Sequence, residues 1–319
     1  MPSSAYGPND VAVVIVNWNG RDVLKECLDS LRAQSVAGFQ IVVVDNASTD
    51  NSVAMLESEY AEVTVVQTGS NLGFAGGANC GIAATARRLI ITLNNDATAD
   101  ARFVETLVAH ACEAPVEVGM FQAKIKFSND PKRLNSTGIV VASSGHAMDR
   151  SYNALDDIDT SPSSVFCPTA GAAMYRREML ESVRLPAGIF DSSYFMYFED
   201  VDLGWRCRSA GYAAEYVPEA VVFHGFQTTS RKLKSNFVPL QCKRNRLRTI
   251  VKNASWRFLI RTLPTTINDV WWLVRHARIR EQVAILGQVG AALRLRHAIG
   301  RTARCSRPEI ELRWAGKES

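Results

Sequence analysis

Over the first hundred positions, continuous apolar runs alternate with stretches in which apolar residues recur every three or four positions. Val11 to Val16 (VAVVIV) and Phe39 to Asp45 (FQIVVVD) are near-unbroken β-branched runs, the pattern of strands buried on both faces. VTVVQT and LIITLNND give a third and a fourth strand. Between the first two, Val23, Leu24, Cys27, Leu28 and Leu31 fall at helical spacing. NASTDNS supplies Asx and Ser/Thr residues suited to cap a helix over about Ser52 to Ser58, and NLGFAGGANCGIAATARR is a glycine-rich loop entering another helix. Strands alternating with helices predict an α/β fold: a Rossmann-like, mostly parallel central sheet with flanking helices.

Beyond Val116 the pattern is irregular. GMFQAKIKF and GIVVAS read as strands, SYNALDDIDTSPSSV as a surface loop, and CPTAGAAMYRREML as a turn entering a short helix. AVVFH, ending at His224, is strand-like. From about Lys232 to roughly Arg304 the chain turns helical, with Lys, Arg, Leu and Trp interleaved. The expected organisation is a catalytic or binding body over 1–230, with halves of about 9–115 and 116–230, and a basic helical C-terminal region over 231–319.

Composition alters this picture in two ways. A hydrophobic share of 47% with 21% charged residues is ordinary for a soluble globular chain of 319 residues. Its seven scattered cysteines form no CxxC pair, which points to a reducing compartment and away from structural zinc. Neither a signal-peptide pattern nor an apolar run long enough to span a membrane is present, so a cytoplasmic location is expected. The net charge of +4 hides an asymmetry: from Arg231 onward there are 20 Lys and Arg against 5 Asp and Glu, whereas the preceding part carries 16 against 27. A basic arm of that kind, rich in Trp and Leu, is expected at an anionic membrane surface. The alternative is a helical bundle packed on the body or on a second subunit; no nucleic-acid-binding fold is evident.

The chemistry gathers where strands end. In parallel sheets ligands bind beyond the carboxyl ends of the strands, and there this chain places Asn17 and Asn19, Asp45 and Asn46, Asn71, and Asn94, Asn95 and Asp96. A hard divalent cation shares itself between one or two carboxylates and substrate phosphates, a role open to Asp96, with Asn94 and Asn95 orienting ribose or phosphate; the other reading is a simple turn. Asp45 with Asn46 could read a nucleobase edge and ribose. Gly73, Gly76 and Gly77 fit neither a P-loop nor GxGxxG; they either admit a ligand close to backbone or serve packing at a helix start. His224 alone is either a structural or a metal-binding histidine. In SYFMYFEDVDLGWRCRSAG, Glu199, Asp200 and Asp202 follow a run of aromatics, consistent with a helix start or with carboxylates working in a cleft.

Taken in order, VVIVNWNG, VVVDNASTDNS, NLGFAGGANCGI, LNND, FDSSYFMYFEDVDLGWR and VFHG resemble the family-2 glycosyltransferases of GT-A fold. More narrowly they are similar to the bacterial rhamnosyltransferase-like branch of O-antigen and cell-wall polysaccharide synthesis. The resemblance covers about Val11 to Asn245. It implies inverting transfer of a sugar, with L-rhamnose from dTDP-L-rhamnose as one candidate, from a nucleotide-diphosphate donor with Mg²⁺ or Mn²⁺ on the diphosphate. It implies a polysaccharide or polyprenol-linked acceptor and a peripheral place at the inner face of the cell membrane. Carried over, Asp96 matches the last carboxylate of the metal-binding DxD, whose first position is here Asn94, and His224 matches the histidine completing the metal site. Asp45 and Asn46 match the nucleobase-side pair beside Asn17 and Asn19. Gly73, Phe74, Gly76, Asn79 and Asn95 fall in the remaining nucleotide-sugar motifs. Asp200 matches the general base, and Glu199 and Asp202 would orient the acceptor, or Asp202 would pair with Arg206. A nucleotidyltransferase and a non-catalytic carbohydrate- or membrane-binding module are the alternatives.

Overall fold

The computed structural model describes residues 6–158, 161–225 and 236–316. Its elements are β1 (Val11–Asn17), α1 (Arg21–Arg32), β2 (Gln40–Asp45), α2 (Ser52–Glu59), β3 (Thr64–Gln67), α3 (Gly73–Ala83), β4 (Leu89–Asn94), β5 (Ala97–Ala99) and α4 (Phe103–Glu113). Next come β6 (Val118–Phe127), β7 (Leu134–Ser136), β8 (Ile139–Val141), β9 (Ala147–Asp149), β10 (Ser163–Ser164), β11 (Ala172–Arg176), α5 (Arg177–Ser182), α6 (Glu199–Ser209) and β12 (Ala213–His224). The C-terminal helices are α7 (Phe237–Asn253), α8 (Trp256–Arg261), α9 (Leu263–His276), α10 (Ile279–Thr302) and α11 (Arg307–Trp314).

The four N-terminal strands pair in parallel in the order β4-β1-β2-β3, with Asn17 in register with Asp45. Because the strand order reverses between β1 and β4, a crevice opens at their carboxyl ends. The second half joins through β11, antiparallel to both β4 and β6, and continues through β12, parallel to β6. The whole sheet is therefore mixed. The stretch read as a surface loop holds the short β10, paired with β12; its residues 159 and 160 lie outside the described set. A separate two-stranded sheet, β8 with β9, carries Asp149.

Successive side chains on a strand point to opposite faces, so an unbroken apolar run feeds two cores at once. Val11, Val13 and Ile15 pack with α1, α2 and α4. Ala12 and Val14 pack on the other face with α3 and with Trp205 of α6. Ile250, Ala254, Phe258 and Ile310 belong to that second core, so the C-terminal helices share it.

The basic charge of α7 turns largely inward. Lys252 is 1% exposed and pairs with Asp191 at 2.7 Å and Asp202 at 2.8 Å. Arg246 pairs with Asp269 at 2.9 Å. For α7 the packed-bundle reading of the C-terminal region therefore holds: part of the charge asymmetry is compensation of buried carboxylates in the body.

Candidate active site

A cavity of about 880 Å³ opens at the β1/β4 crevice, within the usual range for a small-molecule site. Its floor is the tip of β4. Asn95 Nδ2 donates to Asn17 Oδ1 at 2.8 Å, and Asn17 Nδ2 reaches Ser48 Oγ at 3.3 Å and Asp45 Oδ1 at 3.5 Å. Asn17 and Asp45 are buried behind the wall, Asp45 Oδ2 accepting from the Ser48 backbone at 2.9 Å, while Asn46 and Asn95 lie on it. Asn19 takes a left-handed backbone, φ 51°, and its Oδ1 accepts from the Thr49 backbone at 2.7 Å, shaping the turn behind the wall.

At the other corner the sheet joins its two halves. β12 ends at His224 opposite Ala97, which places the imidazole beside the β4 tip. Asp96 Oδ1 and His224 Nε2 stand 3.1 Å apart, with the Asn94 amide 3.1 Å from the same nitrogen. Asn135 Oδ1 lies 2.9 Å from His224 Nδ1 and so assigns the proton to Nδ1, leaving the Nε2 lone pair between the Asn94 amide, which donates to it, and Asp96. A lone pair and a carboxylate oxygen that close repel unless a cation, proton or metal, joins them. Two donors of one octahedral Mg²⁺-like ion are about 3 Å apart when each ligates at about 2.1 Å, so this donor set fits a divalent cation. Among the described residues no third His, Cys, Asp or Glu joins the pair, which leaves the other positions to ligand oxygens and water.

Another part of the wall is the start of α6 and the turn before it. Phe195, Tyr197 and Phe198 all adopt left-handed φ angles of 67°, 67° and 70°, a conformation costly for bulky residues and found where surroundings impose it. Four successive carbonyls of this turn are captured. Asn245 Nδ2 on α7 donates to those of Tyr194, Met196 and Tyr197 at 3.1, 3.0 and 2.8 Å. The carbonyl of Phe195 accepts from Ala75 on α3 at 3.1 Å. Gly73 permits that approach, since a Cβ there would lie 2.3 Å from the Phe195 carbonyl oxygen.

The turn delivers Asp200 to the cavity, where its oxygens accept from the backbone of Val201 at 2.8 Å and Ala170 at 3.3 Å. Burial pushes its pKa up to about 6, with the charge of Asp149 adding to the rise against those two backbone bonds. Glu199, also on the wall, is raised well above the carboxylate range by burial and then by Asp200; its Oε2 is buried with no hydrogen-bond partner. Asp149, itself exposed, faces the same cavity.

Thus Asn46, Gly73, Phe74, Asn94, Asn95, Asp96, Glu199, Asp200 and His224 share one cavity. Besides Asn17, Asn19 and Asp45, which stand behind the wall, three further expected contacts do not reach it. Asp202 is fully buried and held by Arg206 at 2.9 Å, Lys252 at 2.8 Å and Asn253 at 2.8 Å, so the expected acceptor contact gives way to an internal ion network. Asn79 brackets Phe190, accepting from its backbone at 3.0 Å and donating to it at 2.7 Å, so it braces a loop. Gly76 packs on Leu72, where a Cβ would come within 2.7 Å. Sequence reasoning missed Asn135, Asp149 and Asn245. The first two sit in the irregular stretch after β6, and Asn245 was read as part of a basic run, although an amide amid cations was a signal.

Residues 12–184, just over half of the chain, match the family model for glycosyl transferase family 2. An N-acetylglucosaminyl-diphospho-decaprenol L-rhamnosyltransferase of Mycobacterium tuberculosis is 27% identical over 242 residues, covering 66% of this chain and 75% of the relative. A pre-mycofactocin glycosyltransferase of the same organism is 28% identical over 241 residues, covering 72% of this chain and 46% of the relative. In fold, the chain is similar to the mannosyltransferase PcManGT of Pyrobaculum calidifontis, solved with GDP-Man and Mn²⁺. That match has a TM-score of 0.54 at 16% identity and covers 92% of this chain and 85% of that one. GalNAc-T7, solved with UDP, GalNAc and Mn²⁺, matches with a TM-score of 0.63 at 14% identity over 78% of this chain and 48% of that one. With its sheet, its crevice and its motifs in this arrangement, the chain belongs to glycosyl transferase family 2.

Proposed function

We propose that this glycosyltransferase is inverting and metal-dependent, and moves a sugar from a nucleoside-diphosphate donor to the hydroxyl of a glycan or lipid-linked acceptor. The observation that carries the reading is that the Asp96–His224 pair and Asp200 open onto a single cavity. Asn46 and Asn95 line the nucleotide side, with Asn17 and Asp45 fixing them from behind. Asp96 and His224 would hold a Mg²⁺ or Mn²⁺ ion, which when bound supplies positive charge to the diphosphate leaving group.

Asp200 does the acid–base work. A pKa near 6 leaves it ionised at neutral pH yet basic enough to take a proton. Its carboxylate accepts the proton of the acceptor hydroxyl as that oxygen bonds to the anomeric carbon. The bond from that carbon to the diphosphate oxygen breaks, and the leaving group departs with the electron pair. Attack from the side opposite the leaving group inverts the anomeric centre. Glu199, kept neutral beside Asp200, has a hydroxyl hydrogen to offer to an acceptor oxygen.

The similarity to an L-rhamnosyltransferase named for a diphospho-decaprenol acceptor supports L-rhamnose as the sugar and a polyprenol-linked glycan as the acceptor, and dTDP-L-rhamnose is the donor of this reading. A panel of dTDP-, UDP- and GDP-sugars with Mn²⁺ or Mg²⁺, read by released nucleoside diphosphate, tests this. Turnover confined to another donor removes the rhamnose assignment. Absence of nucleotide binding and of turnover with every donor removes the transferase reading in favour of a binding module.

A further inference from the structure

The C-terminal helices α8, α9 and α10 are apolar on two sides. One side packs inward: Leu273 of α9, and Ile285, Ala292 and Ile299 of α10, are buried. The other is open. Ile267, Trp271 and Val274 repeat at i, i+4 and i+7 on α9, and each is more than half exposed. Ile279, Val283 and Leu286 repeat in the same spacing on α10, again each more than half exposed. Trp256 and Ile260 make an i, i+4 pair on α8. Gln282 joins the two longer stripes by donating to the carbonyl of Val274 at 3.0 Å. Solitary exposed apolar residues need no explanation, but three consecutive helices with outward stripes do.

Charge identifies the occupant. From Trp256 to Thr302 the chain carries eight arginines and two acidic residues. Of those two, Asp269 is buried against Lys243 and Arg246, and Glu281 caps the start of α10 through the Arg278 backbone. Arg257, Arg275, Arg278 and Arg280 are exposed, and Arg275 lies over the Trp271 ring at 4.1 Å. Pairing of two such faces in a dimer would set these arginines against each other. A surface with an apolar centre and an anionic rim answers both properties. Among the described residues no helix is long and apolar enough to cross a membrane. We infer that the outward stripes of α8–α10 seat in the headgroup region of an anionic bilayer, with Trp256 and Trp271 at the interface and the arginines on lipid phosphates.

The inference stands apart from the sugar-transfer reading and is tested without it, by co-sedimentation of the full chain with vesicles. Wild-type protein is expected to pellet with vesicles containing phosphatidylglycerol and to stay largely in solution with phosphatidylcholine alone. I267E/W271E/I279E should lower the partition coefficient more than tenfold while the unfolding midpoint stays that of the wild type. R275Q/R278Q, which leaves the apolar stripes intact, should lower it about fivefold for each arginine removed. Failure of the wild type to pellet with either vesicle overturns the inference. Equal pelleting with both vesicles removes its electrostatic part. A concentration-dependent dimer in sedimentation velocity that the glutamate variant dissolves assigns the face to a second copy instead.

Discussion

Asn245→Asp keeps the size and shape of the side chain that clamps the turn before Asp200 and removes its donors. In the wild type two amide hydrogens serve three carbonyls, at 2.8 to 3.1 Å. Each hydrogen bond of this kind contributes about 1 kcal/mol net, and a buried acceptor left unpaired costs about 1–3 kcal/mol. The turn also contains three bulky residues at positive φ, each strained by about 1–3 kcal/mol. With the donors gone, relaxation of those dihedrals outweighs what still holds the turn, and its carboxyl-terminal end, Asp200, shifts. A displacement of about 1 Å at a reacting group costs about a hundredfold in rate. The expected outcome is a kcat lower by about two orders of magnitude, with unfolding free energy reduced by about 2–3 kcal/mol. Nucleoside diphosphate affinity should change little, because Asn95 and Asp96 are held at the β4 tip by Asn17 and beside His224, without a bond to this turn. The assay is steady-state release of nucleoside diphosphate over pH 5 to 8, with nucleotide affinity by calorimetry. A shifted pH inflection marks a moved base. Were kcat and its pH profile those of the wild type, or were affinity to fall in step with rate, the positioning argument would be wrong.

Since Asp200 must be ionised to accept a proton and its pKa is raised to about 6, kcat should climb as pH rises through 6. Asp200→Asn should remove that inflection and lower kcat by about 10²–10⁴-fold while nucleotide binding persists; loss of binding in this variant would assign Asp200 another role. Asp96→Ala should weaken nucleoside diphosphate affinity in the presence of Mn²⁺ and not in EDTA, and equal affinity in both conditions would displace the metal corner. Lys252→Met leaves Asp191 and Asp202 buried without their shared cation and should cost about 3–5 kcal/mol in chemical denaturation. The folded-state pKa of Asp191 is lowered to about 2, from burial opposed by the Lys252 charge and its hydrogen bond. Its contribution, about 2 kcal/mol, is therefore fully present above about pH 4 and lost as pH falls toward 2. Stability that is flat over that interval would refute the pairing.

The parallel half of the sheet was legible because β1, β2 and β4 are buried on both faces, and only unbroken apolar runs satisfy that condition. The strand-tip residues followed, since topology alone places the ends of β1, β2 and β4 side by side. Asp96 was open to the metal role from its strand-tip place, whereas His224 and Asp200 received theirs through resemblance; the meeting of His224 with Asp96 depends on β12 ending beside the β4 tip, which no local pattern encodes. Of the two readings open to Asp202, the pairing with Arg206 is the one the structure shows and the acceptor contact is not, because on a helix two positions turn it away from Asp200, toward Arg206 and Lys252. Asn79 and Gly76 misled because one motif places residues on the wall and others on the support behind it. Asn245 was hidden because its role lies in three backbone carbonyls about fifty positions away.

Helix α7 has a practical consequence for anyone trimming the protein to a minimal unit. A boundary drawn where the charge changes sign, near residue 230, would sever the helix that carries both Asn245 and Lys252. The remaining piece would keep Asp96, His224 and Asp200, and so pass inspection by motif. It would also present two acidic side chains to a void and release the turn that aims its own base.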